Sequence, residues 1–320
     1  MTQEQKIKII EAAKQYVEDH KASGMSQNKL AQQAGINGAY ISTLFQLKMS
    51  IGSPGKESVI KDSVYQKIAV AIGYSLKKAY WETVMTPEMK QMVVTLTEAK
   101  KSGKTAMLIG VPGSGKTFSL SKFVTNNPVN TFRIVASSIY NLNDLLFEML
   151  HKLQLETSGT KARRLHRIAE RLRDIKHNGG LPILIIDEAE NLKQPAFQMI
   201  KALYDAVRDY CSIVLIGTPR LITKLENMVI KDKDGMPQFY RRFKAGCRWL
   251  PEIDKTFSMF LGKYQLETGL KKLLIEMCDN YGELNDYLEP FLREADALGK
   301  TPSEELFRLM YHIPARLRRA

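Results

Sequence analysis

The chain has 320 residues, 44% hydrophobic and 8% aromatic, with a formal charge of +13 and a pI near 9.5. That is room for about two domains with buried cores, and the charge points to a polyanionic partner, either nucleic acid or a membrane surface. No apolar run approaches spanning length and MTQEQKIKII lacks the apolar segment of a signal peptide, so membrane insertion is excluded and a cytoplasmic location expected.

Cys211, Cys247 and Cys278 lie far apart without C-x-x-C spacing and read as core thiols of a reduced compartment. The five histidines form no ligand cluster, which predicts no zinc site.

From the N-terminus, Ile7, Ile10, Ala13 and Val17 recur at helical spacing, giving one amphipathic helix over 4–20 that Gly24 closes. Ser26 caps a short helix with Leu30 and Ala31 inward. Ala34-Gly35-Ile36 makes a turn, and Asn37 caps a second helix whose Ile41, Leu44 and Phe45 face the core. Two short helices about a glycine turn form a helix-turn-helix unit, in which the second helix enters the major groove. Its outer side chains, Asn37, Tyr40, Ser42, Thr43 and Gln46 with Lys48 following, can bond phosphates or base edges. An αα-hairpin with a wet or partner-docking polar face fits the same residues. A turn-rich loop at 51–58, a helix with Val64, Ile68, Ala71 and Ile72, and another over 74–81 complete a helical domain at 1–85.

Thr86-Pro87 marks the boundary, and Met89, Met92, Val93, Leu96 and Ala99 predict a helix ahead of the apolar run 106–109. The run enters Gly110-Val111-Pro112-Gly113-Ser114-Gly115-Lys116-Thr117, the G-x-x-x-x-G-K-[ST] phosphate loop, with Phe118 opening the helix behind it. The glycines let successive N–H groups converge on phosphate at a helix N-terminus. Lys116 then reaches the β- and γ-phosphates, and the Thr117 hydroxyl is suited to Mg²⁺.

A strand at 131–136 and a helix through Leu153 follow. Residues 161–176 form a basic amphipathic helix with Leu165, Ile168, Leu172 and Ile175 on one face. Lys161, Arg163, Arg164 and Arg167 are candidates for sequence-independent contact with a DNA backbone; a solvated charged face is the competing reading.

Leu181 to Glu188 is a buried-strand run ending in two acids, with Asp187 placed at or beside Mg²⁺ and Glu188 placed to polarise an attacking water. After a helix at 197–210, the strand 211–217 ends in Thr218, near the γ-phosphate. Alternating strands and helices specify a parallel sheet with ligand at its carboxyl edge. In Phe239-Tyr240-Arg241-Arg242-Phe243 an arginine beside aromatic anchors fits an arginine finger acting on a neighbouring subunit, or a solvated basic pair. From 254 onward the chain reads as helical, with loops at 279–282 and 299–302. This gives an α/β core at 86–250 and a helical lid at 251–320.

This order of parts, with ILIIDEAE, IVLIGTPR and YRRF after the phosphate loop, resembles AAA+ ATPases, and among them the transposition regulators of the phage Mu B protein and TnsC type. The segment with SQ at 26–27, Ala31, Gly35 and Ile41 resembles the Cro and phage-repressor helix-turn-helix. The resemblance implies a P-loop AAA+ core with a helical lid and an N-terminal all-α domain. It also implies a protein that binds ATP and Mg²⁺, oligomerises on duplex DNA without sequence preference as a filament or ring, and recruits a transposase.

By the same resemblance Lys116 and Thr117 look like the Walker A pair, Asp187 and Glu188 like Walker B, and Thr218 like sensor 1. Arg242 looks like the finger, with Arg241 as alternative. Arg316 looks like sensor 2, with Arg318 as alternative, in an IPAR segment that departs from the family's glycine-containing turn. A helicase-loader-like ATPase and a nucleotide-switched helix-turn-helix transcriptional regulator remain alternatives.

Overall fold

Thr2 starts the first helix: its hydroxyl accepts the Gln5 N–H while the Gln5 side chain accepts the Thr2 N–H, so two donors at the helix end are satisfied reciprocally. That helix, α1 (Gln3–Asp19), is followed by α2 (Gln27–Ala34), capped by Ser26, and α3 (Gly38–Phe45), capped by Asn37. Between them Gly35 sits at φ 62°, the left-handed turn read from the sequence. The structure, a computed structural model, describes residues 1–52, 55, 57–74 and 80–314.

The segment expected to be a loop contains a short antiparallel pair, β1 (Ser50–Ile51) with β2 (Ser58–Val59). It leads into α4 (Asp62–Ile72), on which Tyr65 is fully buried. Ile9, Ile10, Leu30, Ile41 and Leu44 share this core with Tyr65 and Ile68. Phe45 is only half-buried against it. Of the helix expected over 74–81, residues 75–79 lie outside the described residues, while Tyr80 and Trp81 form a bend.

The chain forms two compact units, Met1–Ala79 with Ser121–Val129, and Tyr80–Leu120 with Asn130–Ala320. The second contains α5 (Pro87–Ser102), β3 (Ala106–Ile109), the start of α6 (Lys116–Asn126), β4 (Thr131–Val135), α7 (Leu142–Lys152), α8 (Lys161–His177) and β5 (Ile183–Asp187). After a 3-10 turn at Ala189–Asn191 come α9 (Gln194–Val207), β6 (Ser212–Gly217), α10 (Pro219–Ile230), α11 (Met236–Lys244) and β7 (Cys247–Trp249).

All five strands are parallel, in the order β4-β5-β6-β3-β7. Strands β5 and β6 are buried along their whole length, which is why they read as unbroken apolar runs. Strand β7 is an edge strand of three residues with Arg248 and Trp249 exposed, too short and too polar to be visible in the sequence. Register sets Ile109 beside Gly217 and Val135 beside Asp187. The carboxyl ends of β3, β5 and β6, each with its chemically distinctive loop, therefore share one sheet edge.

Helices α12 (Ser258–Leu261), α13 (Thr268–Met277), α14 (Tyr281–Ala297) and α15 (Glu304–Met310) close over a cluster with Phe257, Leu274, Leu284 and Phe291. Val84 lies in this cluster, with Tyr80 and Trp81 packed against it. The loop expected at 279–282 is shorter: Asn280 caps α14 by accepting the Glu283 N–H, so Tyr281 and Gly282 are already helical. Among the described residues no helix is long and apolar enough to cross a membrane.

Candidate nucleotide site

The phosphate loop is anchored where β3 meets β6, with the Gly110 N–H donating to the Gly217 carbonyl at 3.1 Å. Gly113 takes φ 73°, and a Cβ there would lie 2.3 Å from the Asn280 side chain. Glycine thus answers both the loop conformation and the close approach of the lid. Lys116 donates to the Gly110 and Val111 carbonyls at 2.8 and 2.7 Å. Burial lowers its pKa, and the carboxylates of Glu190 and then Asp187 oppose that shift. The first turn of α6 presents N–H groups that have no intrahelical acceptors. Thr117 and Phe118 are exposed at the mouth, and Ser114 Oγ donates to the Val111 carbonyl at 2.8 Å.

At the end of β5, Asp187 is 2% exposed and its carboxylate accepts Arg133 Nη2 from β4 at 2.7 Å and the Glu188 N–H at 3.1 Å. Glu188 itself is exposed, in the left-handed region at φ 55°, with its carboxylate accepting Asn191 Nδ2 at 3.1 Å. A non-glycine residue in that region is uncommon and costs on the order of 1 kcal/mol, and such positions concentrate at functional sites.

Glu190, two residues on, accepts the Thr218 N–H at 3.3 Å and takes Lys224 Nζ on its carbonyl at 2.8 Å. Thr218 Oγ1 is buried and has no hydrogen-bond partner. A buried hydroxyl left unpaired is unfavourable unless a ligand completes it. Lys116, Asp187, Glu188 and Thr218 are therefore gathered at one sheet edge. Glu190 and Arg133 are additions that the sequence reading missed, the first although it lies within the IIDEAE segment already singled out.

Beside this edge is a cavity of about 500 Å³ between Gly113–Ser119 and the lid. Its other wall is apolar: Trp81, Val84, Met89, Phe260 and Tyr281, with Asn285 and Glu289 adding polar groups. Trp81 and Phe260 stack at 4.7 Å between ring centroids. The Tyr281 hydroxyl donates to Glu88 Oε1 at 3.2 Å and accepts the Asp254 N–H at 3.3 Å; burial, then the Glu88 charge, pushes its pKa up to about 12. An aromatic compartment joined to a loop of inward N–H groups suits a base at one end and phosphates at the other. A half-buried lysine on the loop and an orphaned threonine hydroxyl at the same sheet edge fit a triphosphate. The Thr117 hydroxyl and the Asp187 carboxylate are oxygen groups of the kind that hold Mg²⁺. No motif signals the lid side of this cavity: Trp81, Met89, Phe260 and Tyr281 stood in expected elements, but none of them as a site residue.

The remaining candidates lie elsewhere. Arg241 and Arg242 end α11 at the amino edge of the sheet, where the Arg242 carbonyl accepts Thr105 Oγ1 at 3.0 Å. Arg242 is engaged by Asp205 through Nε at 3.0 Å and Nη2 at 2.7 Å, by the Gln238 carbonyl, and by the Tyr204 ring at 5.5 Å. Arg241 is exposed and makes no ion pair among the described residues. Arg316 and Arg318 lie outside the described residues.

On α3 the Asn37 side chain is taken up in capping the Ala39 N–H, Tyr40 and Thr43 are half-buried, and Ser42, Gln46 and the following Lys48 are exposed. On α8, Lys161 and Arg163 are exposed. Arg164 is half-buried with an unpaired Nε, and Arg167 donates to the Glu156 and Ser158 carbonyls. Cys211 and Cys278 are buried thiols pushed up to about 12 by burial, whereas Cys247 is only half-buried on edge strand β7.

The model of an AAA domain family matches residues 99–225. The chain is 25% identical over 219 residues to the Mu-like prophage FluMu DNA transposition protein B of Haemophilus influenzae, covering 68% of this chain and 72% of that protein. It is similar in structure to the Aeropyrum pernix ORC2 protein in ADPNP–ADP complexes, with TM-score 0.53 and 14% identity over 77% of this chain and 72% of that one. It is likewise similar to the Aeropyrum pernix ORC1 protein in complex with DNA, with TM-score 0.54 and 13% identity over 74% and 68%. The architecture is the P-loop AAA+ fold, and the resemblance to a transposition protein of the Mu B kind is borne out.

Proposed function

From an AAA+ core similar to a Mu-like transposition protein B, we propose that this chain is an ATP-hydrolysing regulator of DNA transposition. On this reading it assembles on duplex DNA when ATP is bound and presents that DNA to a transposase. The observation that carries the proposal is that Lys116, Asp187, Glu188 and the orphaned Thr218 hydroxyl share the carboxyl edge of the sheet, where the phosphate loop forms one wall of the cavity. The charge of +13 supports a polyanionic partner.

In the proposed cycle the N–H groups of Gly113–Thr117 and the Lys116 ammonium hold the phosphates, while the aromatic wall takes the base. Thr117 and Asp187 would hold Mg²⁺, which supplies charge neutralisation on the β- and γ-phosphates. Glu188 accepts a proton from, or orients, the attacking water, with Asn191 fixing its carboxylate. Thr218 Oγ1 donates to a phosphate oxygen. The Arg241–Arg242 pair belongs to the opposite sheet edge, so any part it takes in hydrolysis is in a neighbouring copy's site. Exposure and the lack of an ion pair among the described residues favour Arg241 for that role. DNA contact is proposed for the exposed face of α3 and for Lys161 and Arg163 of α8.

Light scattering of the purified protein with ATP and a duplex of arbitrary sequence tests the reading. Assembly that follows ATP, with phosphate release stimulated by any duplex, is expected. A Lys116→Ala variant that assembles as well as the unaltered protein would sink it, and a footprint confined to one operator would favour a transcriptional regulator.

A further inference from the structure

Helix α10 carries a row of hydrogen-bond donors of which only Arg220, the last residue of IVLIGTPR, falls within a sequence motif. Arg220, Thr223, Lys224, Asn227 and, one residue past its end, Lys231 recur at helical spacing on one side, while Leu221 and Leu225 are fully buried on the other. The row lines a groove of about 740 Å³ that Lys233 also enters. Arg220, Lys231 and Lys233 are exposed and form no ion pair among the described residues.

The acids nearby are turned to other work. Glu190, which reaches the groove, has its carboxylate on the Thr218 N–H; Glu226 accepts the Tyr240 hydroxyl; the Asp234 carboxylate accepts Gln198 Nε2. Asp232 is exposed between the two lysines and does not line the groove.

We propose that this face of α10, with Lys233, is a track for the phosphate backbone of duplex DNA. The proposal rests on the reading of the protein as DNA-binding and names a surface for it. From Arg220 to Lys231 a helix advances about 16 Å at 1.5 Å per residue, a rigid row that matches several consecutive phosphates. Arginine, lysine, threonine and asparagine are the side chains that make backbone contacts. The groove has no aromatic anchor of the kind that dominates protein–protein contacts. It also adjoins the nucleotide site through Glu190, whose carbonyl holds Lys224 and whose carboxylate holds Thr218. Phosphates drawn to Lys224 thereby act on the residue that positions the candidate sensor.

The test uses the full chain with a non-hydrolysable ATP analogue and a fluorescent duplex of arbitrary sequence, titrated with salt. An R220Q/K231Q/K233Q variant should lower the slope of log K against log salt by about 2–3, at roughly 0.9 for each phosphate no longer neutralised. It should keep its affinity for a fluorescent ATP analogue and its melting temperature. K272Q/K300Q, which removes two exposed lysines of the lid with no proposed DNA contact, is the comparison variant and should change the slope by less per charge removed.

An unchanged slope in the triple variant, or a decrease per charge no greater than that of the lid variant, overturns the track. So does loss of ATP-driven assembly without DNA in a sedimentation run, which would make the face a subunit interface. Failure of the unaltered protein to bind DNA under any nucleotide would instead sink the parent reading, and the track with it.

Discussion

At the carboxyl end of the central sheet, charged groups are held by strand ends and by one another, around a space that leaves a hydroxyl unpaired. At the amino end Arg242 and Lys100 are engaged within the chain: Arg242 closes on Asp205, and Lys100 of α5 donates to Thr131 Oγ1 at 2.8 Å. Strands of four to six residues separate the two edges by roughly 13–20 Å. One edge is built to receive a ligand and the other to complete the fold. The contrast teaches that an arginine's neighbours, and not its motif, determine whether it is available.

The contrast is broken most directly at the carboxyl end. Glu188→Gln keeps the Asn191 contact and the backbone but removes the carboxylate, so phosphate release should fall by about 10²–10⁴-fold. Binding of a fluorescent ATP analogue should be unchanged. Turnover within threefold of the unaltered protein would show that Glu188 does not act on water. Arg133→Met comes next in size. It strands the buried Asp187 carboxylate, and breaking such a pair costs on the order of 3 kcal/mol. Urea unfolding should register that loss without nucleotide, and an R133M/D187N double variant should recover part of it.

How much of this was legible in the sequence follows the same division. The strand cores of β3, β5 and β6 and the residues directly after them were readable, because full burial forces apolar runs and phosphate chemistry forces glycine, lysine and threonine at fixed spacing. Helix caps at Ser26 and Asn37 were equally local, whereas Thr86, read only as a boundary, turns out to cap α5. Strand β7 was not readable, since its pairing with Met107–Ile109 comes from the sheet and not from its own three residues. Nor was the base compartment, where Trp81, Phe260 and Tyr281 meet only after the lid folds. On α8 the arginine pattern was visible, but the turn of Arg167 onto the loop at Glu156–Ser158 depends on tertiary contacts.

The amino end gives smaller effects. Burial lowers the pKa of Lys100 to about 8, below its ordinary value. Between those two values the unfolded chain binds more protons than the folded one, so this lysine makes stability rise with pH above about 8. Below that pH both states are protonated and its penalty is complete. Cys211 and Cys278, raised by burial, act in the opposite sense as pH climbs through the ordinary thiol range. The readout is therefore the difference between the unaltered protein and Lys100→Met. The variant should be more stable by on the order of 1–3 kcal/mol at pH 7, with the gap closing by pH 10; a constant gap would count against Lys100 as its source.

Smallest of all is Arg242→Ala. Its partner Asp205 is 45% exposed along the side chain, so the pair is screened and worth about 0.5–1 kcal/mol, with the Tyr204 stacking contributing a similar amount at most. Thermal unfolding should drop by a few degrees, while ATP turnover of the assembled protein stays within twofold, because the guanidinium already serves Asp205, Gln238 and Tyr204 in its own chain. A hundredfold loss of turnover with intact folding would mean that Arg242 leaves Asp205 to serve a neighbouring copy. The amino end would then be as much a part of the chemistry as the phosphate loop.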